Sequence, residues 1–221
     1  MKVIITGTTG MVGKGVLLEC LDDAKVEQVL VINRNPLGIQ HAKLREVIHS
    51  DFSEFTSIHS ELAGYDACFF CMGVSSVGMK EADYKIVTYN FTLALAKVLL
   101  KLNPESTFTY VSGVGTDSTE KGRTMWARVK GKTENDLLKL GFNQAFMFRP
   151  GMIIPKRGIK SRTKLYQFMY DYFMWLVNLI KFLSPNSVVD TTQVGKAMIN
   201  SVKKGYSKNI LEPKDILELV K

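Results

Sequence analysis

Three glycines, Gly7, Gly10 and Gly13, follow an apolar strand (Val3, Ile4, Ile5) and open an amphipathic helix over residues 11–21. The chemistry this spacing suits is the holding of a diphosphate. Glycine lets the backbone turn sharply, lets the main chain approach phosphate oxygens, and lets the helix pack closely on the strand. The helix start adds unpaired N–H groups and the positive end of its dipole. Gly7, Thr9, Gly10, Met11 and Val12 are therefore the expected diphosphate contacts of a dinucleotide. The alternative reading is a tight turn with no ligand.

The residue that reads the adenosine ribose is expected about 20 positions beyond such glycines, at the end of the second strand. A carboxylate there accepts from both ribose hydroxyls and selects NAD. This chain instead has Asn33-Arg34-Asn35-Pro36. A guanidinium pairs with a 2′-phosphate through charge-assisted hydrogen bonds, and Lys14 adds positive charge nearby. NADP is the expected cofactor, with NAD as the alternative. Asp51 follows the third strand and is expected to accept from the adenine amino group, with Phe52 packed nearby. Cys71 and Gly73 end the fourth strand, where the backbone is expected to run close to the adenosine ribose.

These residues need a scaffold, and the chain alternates strand and helix. Strands are expected over 27–33, 44–48, 67–71, 107–111 and 145–148, with a short helix over 58–62 and longer ones over 82–101 and 124–140. This rhythm predicts an α/β fold: a Rossmann-like, doubly wound parallel sheet with helices on both faces and right-handed crossovers. Residues 1–155 form the expected nucleotide-binding domain. Residues 156–221 are expected to be a small helical cap with C-terminal elements packed on it, including helices over 192–203 and from Pro213, and a strand over 209–211. The aromatic-rich stretch over 165–183 is too short to span a bilayer. It reads as a cap over an apolar pocket or a subunit contact, rather than an interfacial helix.

Several further pieces carry a family resemblance: the Thr6–Gly13 loop, Asp51-Phe52, Gly64-Tyr65-Asp66-Ala67, Cys71-Met72-Gly73, Asn90, Val111-Ser112-Gly113-Val114, Lys130 with Glu134, and Phe148-Arg149-Pro150-Gly151. Over residues 1 to 155 the chain resembles the atypical or extended short-chain dehydrogenase/reductase family, in its small NAD(P)-binding, sugar-epimerase-like, Tat-interacting-protein-type branch. The resemblance implies a Tyr-x-x-x-Lys pair after the fifth strand, in which the tyrosine moves the proton while the lysine holds the ribose. A serine or threonine binds the same substrate oxygen. Lys130 matches the lysine, but the tyrosine position holds Trp126, whose indole donates one hydrogen bond and transfers no proton near neutral pH. Ser112 matches the serine, one place from the usual register, which points at Gly113. Tyr110, Tyr166, Tyr170, Tyr172 or a water are the remaining proton donors. Pro150 and Gly151 are expected beside the nicotinamide.

The resemblance implies an NADP-dependent oxidoreductase, or a nucleoside-diphosphate-sugar epimerase-like enzyme, acting on a small substrate. The alternative is a catalytically silent NADP-binding redox sensor or interaction module. The net charge of +8 is scattered, with no arginine tract or zinc-finger spacing, so neither nucleic acid nor a metal is an expected partner. A membrane-surface role is not expected; a monomer or homodimer is. Cys20, Cys68 and Cys71 make no disulfide framework, and residue 1 leads straight into the first strand, so the expected location is the cytoplasm.

Overall fold

The computed structural model describes residues 1–159 and 185–221. Its sheet contains β1 (Lys2–Thr6), β2 (Gln28–Asn33), β3 (Leu44–Ile48), β4 (Ala67–Phe70), β5 (Thr107–Val111), β6 (Gln144–Phe148) and, beyond β7 and β8, β9 (Ile210–Leu211). The spatial order is β3-β2-β1-β4-β5-β6-β9, and every pairing is parallel. This is a doubly wound Rossmann-like sheet whose order reverses between β1 and β4. Strand alternation divides the core. Val3 and Ile5 of β1 face one apolar layer, and Ile4 faces the other. Buried on both faces, the central strands read as continuous apolar runs.

The first layer is covered by α1 (Met11–Asp22), α5 (Thr191–Lys204) and α6 (Pro213–Leu219). The second is covered by a 3-10 turn (Thr56–Leu62), α3 (Phe91–Leu102) and α4 (Met125–Lys139). The short helix expected over 58–62 is this 3-10 turn. The single helix expected over 82–101 comprises α2 (Glu81–Lys85), one π-helical turn (Ile86–Asn90) and α3. The β-branched run Ile86-Val87-Thr88 crowds the helix there. Thr92 Oγ1 also donates to the Thr88 carbonyl at 2.7 Å, one turn back.

The polypeptide after 185 extends the same body. β9 lies parallel to β6, and α5 crosses α1. A second sheet that the sequence reading did not anticipate pairs β7 (Met152–Ile154) with β8 (Val188–Asp190) in parallel. Three-residue strands offer too short an alternation to be recognised from pattern. α5 starts with a reciprocal cap, in which Asp190 accepts from the Gln193 N–H and the Gln193 side chain accepts from the Asp190 N–H. The aromatic stretch over 165–183 and the cap proposed there lie outside the described residues. Among the described residues no helix is long and apolar enough to cross a membrane.

The α1–α5 crossing is almost backbone to backbone. A Cβ at Gly195 would lie 2.7 Å from Glu19 Cγ and 3.3 Å from Val16 Cα. Gly195→Val is therefore expected to destabilise the fold by roughly 1–3 kcal/mol through overpacking. Thermal unfolding checks this, with a fall of about 2–4 °C in midpoint per kcal/mol for a chain of this size.

Candidate functional site

The site lies above the carboxyl ends of the strands, at the reversal between β1 and β4. Gly7 has φ +72, and a Cβ on it would lie 2.6 Å from the backbone of Cys71 and Met72. This contact seats the loop against the segment leaving β4. The Gly10 N–H closes the turn onto the Gly7 carbonyl at 2.9 Å. α1 begins at Gly10 without a side-chain cap and without an acidic residue in its first turn. The N–H groups of Met11, Val12 and Gly13 thus leave the helix end with no intrahelical acceptor. These features fit a diphosphate.

Beside the loop is an open cleft of about 230 Å³ lined by Thr8, Thr9, Lys14, Pro36, Leu37 and Ile39. Arg34 and Lys14 are both exposed, and neither has an ion-pair partner among the described residues. Asn33 braces this edge. Its Oδ1 accepts from Thr8 Oγ1 at 2.8 Å, and its Nδ2 donates to Glu46 Oε1 at 2.9 Å. Glu46 also accepts the Leu37 N–H at 3.0 Å, so the carboxylate of neighbouring β3 is engaged in holding the 34–37 turn. The sequence reading missed the roles of Asn33 and Glu46. The signal was there in a carboxylate on a strand next to an asparagine-ended one.

Asp51 is exposed beyond β3, where Oδ1 accepts from the Ser53 hydroxyl and N–H at 2.5 and 2.8 Å. Those bonds, the hydroxyl foremost, hold its carboxyl below the usual range. Phe52 is only 3% exposed. Its ring packs edge-on against Phe55 at 5.7 Å and belongs to the core. Cys71 is half-buried and burial pushes its thiol well up, while Gly73 is exposed.

At the carboxyl ends of β5 and β6, Lys130, Ser112 and Pro150 lie close together, whereas Gly151 packs on the Ser187 carbonyl and Pro213. Lys130 Nζ donates to the Ser112 carbonyl at 2.6 Å. β5 and β6 continue side by side past their ends, through Ser112 N–H to the Phe148 carbonyl at 2.8 Å and Val114 N–H to the Pro150 carbonyl at 3.2 Å. Trp126 lies one turn before Lys130 on α4. A Cβ on Gly115 would be 3.5 Å from its Cη2, so the indole edge faces that loop. Burial lowers the Lys130 ammonium from the ordinary 10.5 to about 8, with the Glu134 charge partly opposing the shift.

Ser112 is tied inward. Its Oγ donates to Glu134 Oε1 at 2.5 Å. Glu134 is fully buried and also accepts from Arg149, through Nε at 3.1 Å and Nη2 at 2.5 Å. Arg149 in turn donates to Ser118 Oγ at 2.6 Å and pairs with Glu212 at 3.3 Å. Glu134 and Arg149 were visible in the sequence only as motif members; their pairing was not. Tyr110 is buried in the core, where burial first, then the Tyr84 phenol and the Glu134 carboxylate, raise its phenol well above its usual value. Tyr166, Tyr170 and Tyr172 lie outside the described residues. Among the described residues no group of three or more His, Cys, Asp or Glu is placed to hold a metal.

This sheet, its reversal and its glycine turn define a Rossmann-like fold. Residues 3–124 match the NAD dependent epimerase/dehydratase family, and the chain belongs to that family. Similar proteins include Protein HTATIP2 of Rattus norvegicus, 27% identical over the whole of this chain and 89% of that protein. Protein FMP52, mitochondrial, of Candida albicans is 24% identical over 94% of this chain and 90% of its own length. Among solved structures, the enzyme WbmF of Bordetella bronchiseptica in complex with NAD+ superposes with a TM-score of 0.70 at 14% identity, covering 99% of this chain and 76% of that one. The dTDP-glucose 4,6-dehydratase DesIV of Streptomyces venezuelae, with NAD bound, gives 0.70 at 14% identity, covering 96% and 75%.

One expectation is overturned. The fungal relatives are named as mitochondrial proteins, which removes the cytoplasmic assignment. Free thiols fit any reducing compartment and never singled out the cytosol.

Two outcomes test the buried cluster. Glu134→Ala removes the buried carboxylate of Arg149, leaving it only the longer Glu212 pair at 3.3 Å, and is expected to cost about 3–5 kcal/mol in chemical denaturation. Lys130 binds fewer protons folded than unfolded between about pH 8 and 10.5. Its contribution to stability therefore rises with pH through that window. Stability measured at pH 8 and 10 is expected to rise less in Lys130→Met than in the unaltered protein.

Proposed function

We propose that the chain binds NADP(H) and carries out hydride transfer with a small carbonyl or hydroxyl substrate, sugar-like or apolar, at the carboxyl edge of β4 to β6. The observation that carries this reading is the uncapped start of α1 behind Gly7, with Lys130 held at the end of β5 on the same edge of the sheet. When bound, the nicotinamide supplies the hydride. Met11, Val12 and Gly13 N–H groups hold the diphosphate, Lys130 faces the nicotinamide ribose, and Pro150 and Gly151 flank the ring. Arg34 and Lys14 support the 2′-phosphate, because the carboxylate of β3 is already engaged with Asn33 and Leu37.

Two observations favour second readings. Several solved structures of similar fold hold NAD, which favours the nucleotide without the 2′-phosphate. Trp126 in place of a tyrosine, with the Ser112 proton given to Glu134, favours a silent dinucleotide-binding sensor or interaction module. A silent protein binds nucleotide without consuming it.

Titrating NADPH and NADH against the purified protein is expected to give tighter NADPH binding. Arg34→Ala should weaken NADPH about 10- to 100-fold, the worth of a charge-assisted pair, and leave NADH nearly unchanged. Equal affinities in the unaltered protein would remove the 2′-phosphate reading. Trp126→Tyr should raise NADPH-dependent carbonyl reduction by about 10²-fold or more, the usual contribution of a positioned acid. An unchanged rate would show that a phenol at position 126 does not meet the substrate oxygen.

A further inference from the structure

Proton traffic at this site is constrained by what each nearby group has already given away. The Ser112 hydroxyl has one proton, and it is directed to Glu134 Oε1 at 2.5 Å, with the Phe148 carbonyl a second buried acceptor at 3.2 Å. Thr116 Oγ1 donates to the Gly113 carbonyl at 2.7 Å. Tyr110 is enclosed in the core, 1% exposed. The Trp126 indole can donate a hydrogen bond and cannot release a proton near neutral pH. The Lys130 ammonium has three N–H groups and uses one of them at the Ser112 carbonyl, 2.6 Å away. Two remain. Among the described residues at the end of β5, it is the group with a transferable proton left over.

We infer that Lys130 is the proton donor and acceptor for the substrate oxygen, the task that the tyrosine performs where one stands in place of Trp126. The inference rests on the hydride-transfer reading above. As the carbonyl carbon accepts hydride from a reduced nicotinamide, which is oxidised, the C=O electron pair moves to oxygen. That oxygen takes one proton from Lys130, and the resulting neutral amine regains a proton from water. In the reverse direction the amine accepts the hydroxyl proton as hydride departs.

The surroundings suit this cycle. Burial favours the neutral amine and brings the group to about 8, where both forms are populated near neutral pH. Glu134, one turn along α4, keeps the charged form from being lost altogether, and its own charge is shared with Arg149. The other charged groups around α4 pair among themselves: Lys132 with Asp136 and Glu120, Asp136 with the Tyr89 hydroxyl of the π turn, and Arg128 with Glu81 of α2. The Ser112 carbonyl holds the nitrogen in position in either protonation state, as acceptor from ammonium or amine alike.

The test combines two measurements on the full chain. The first is competitive acetylation by trace acetic anhydride from pH 6 to 11, read by mass spectrometry on the peptide bearing Lys130. The expected midpoint is near 8; a midpoint at the ordinary lysine value would overturn the inference. The second is NADPH consumption with 4-nitrobenzaldehyde as the carbonyl probe, with NADPH affinity measured in parallel. Lys130→Arg keeps the cation and withholds the proton. It should lower kcat about 10²-fold or more while NADPH affinity changes less than about threefold. A rate unchanged in Lys130→Arg overturns the inference. NADPH bound but never consumed by the unaltered protein overturns proton delivery and leaves the dinucleotide reading intact. NADPH not bound at all overturns both.

Discussion

A carboxylate with no exposure to water holds together the ends of β5 and β6 and the helix beside them. Glu134 is removed from solvent and compensated by three donors: the Ser112 hydroxyl and two nitrogens of Arg149. A buried charge is tolerated only when its partners are fixed, because a loose geometry would not offset the lost hydration. The consequence is mechanical. α4 is locked to the ends of β5 and β6, and Lys130, one turn away on the same helix, inherits its place from that lock. The orientation of Trp126 beside the Gly115 loop follows from the same helix position.

The two ends of the site are made differently. The diphosphate end is almost wholly main chain: a helix start, a left-handed glycine, and room where side chains are missing. Many sequences can supply that, provided Gly7 and Gly13 are kept. The other end is made of side chains, and there the identities decide the chemistry. An indole and an ammonium stand where a phenol and an ammonium would support the familiar proton relay. A family profile that matches residues 3–124 stops before either of them. Family membership therefore describes the nucleotide end of this protein better than its reactive end.

The doubly wound sheet was legible because its strands are buried on both faces and its turns are marked by glycine and proline. β1, β3 and β5 carry continuous apolar or alternating runs that need no tertiary information. The glycine loop was legible for the same reason, since its function depends on residue type at a fixed distance from a strand. What could not be read were contacts between residues distant in sequence. Ser112 looked available because nothing in a linear chain shows a carboxylate 22 residues on donating no proton and demanding one. The ring of Phe52 packs on Phe91 of α3, a contact across 39 residues that no local pattern announces. The β7–β8 pair joins segments more than 30 residues apart through strands of three residues, below the length at which alternation carries information.

Arg149 also reaches Glu212, which follows β9 and opens α6. β9 is the last strand in chain order and the one that covers β6. On the ribosome, then, residues 1–148 can emerge and pair in sequence while the outer edge of β6 stays open and one arm of the guanidinium stays without its carboxylate. The corner around Arg149 is finished from behind, by a segment made some sixty residues after the arginine it pairs with. A chain interrupted between those two points would leave the edge of β6 open and the layer of α1 without the two helices that complete it.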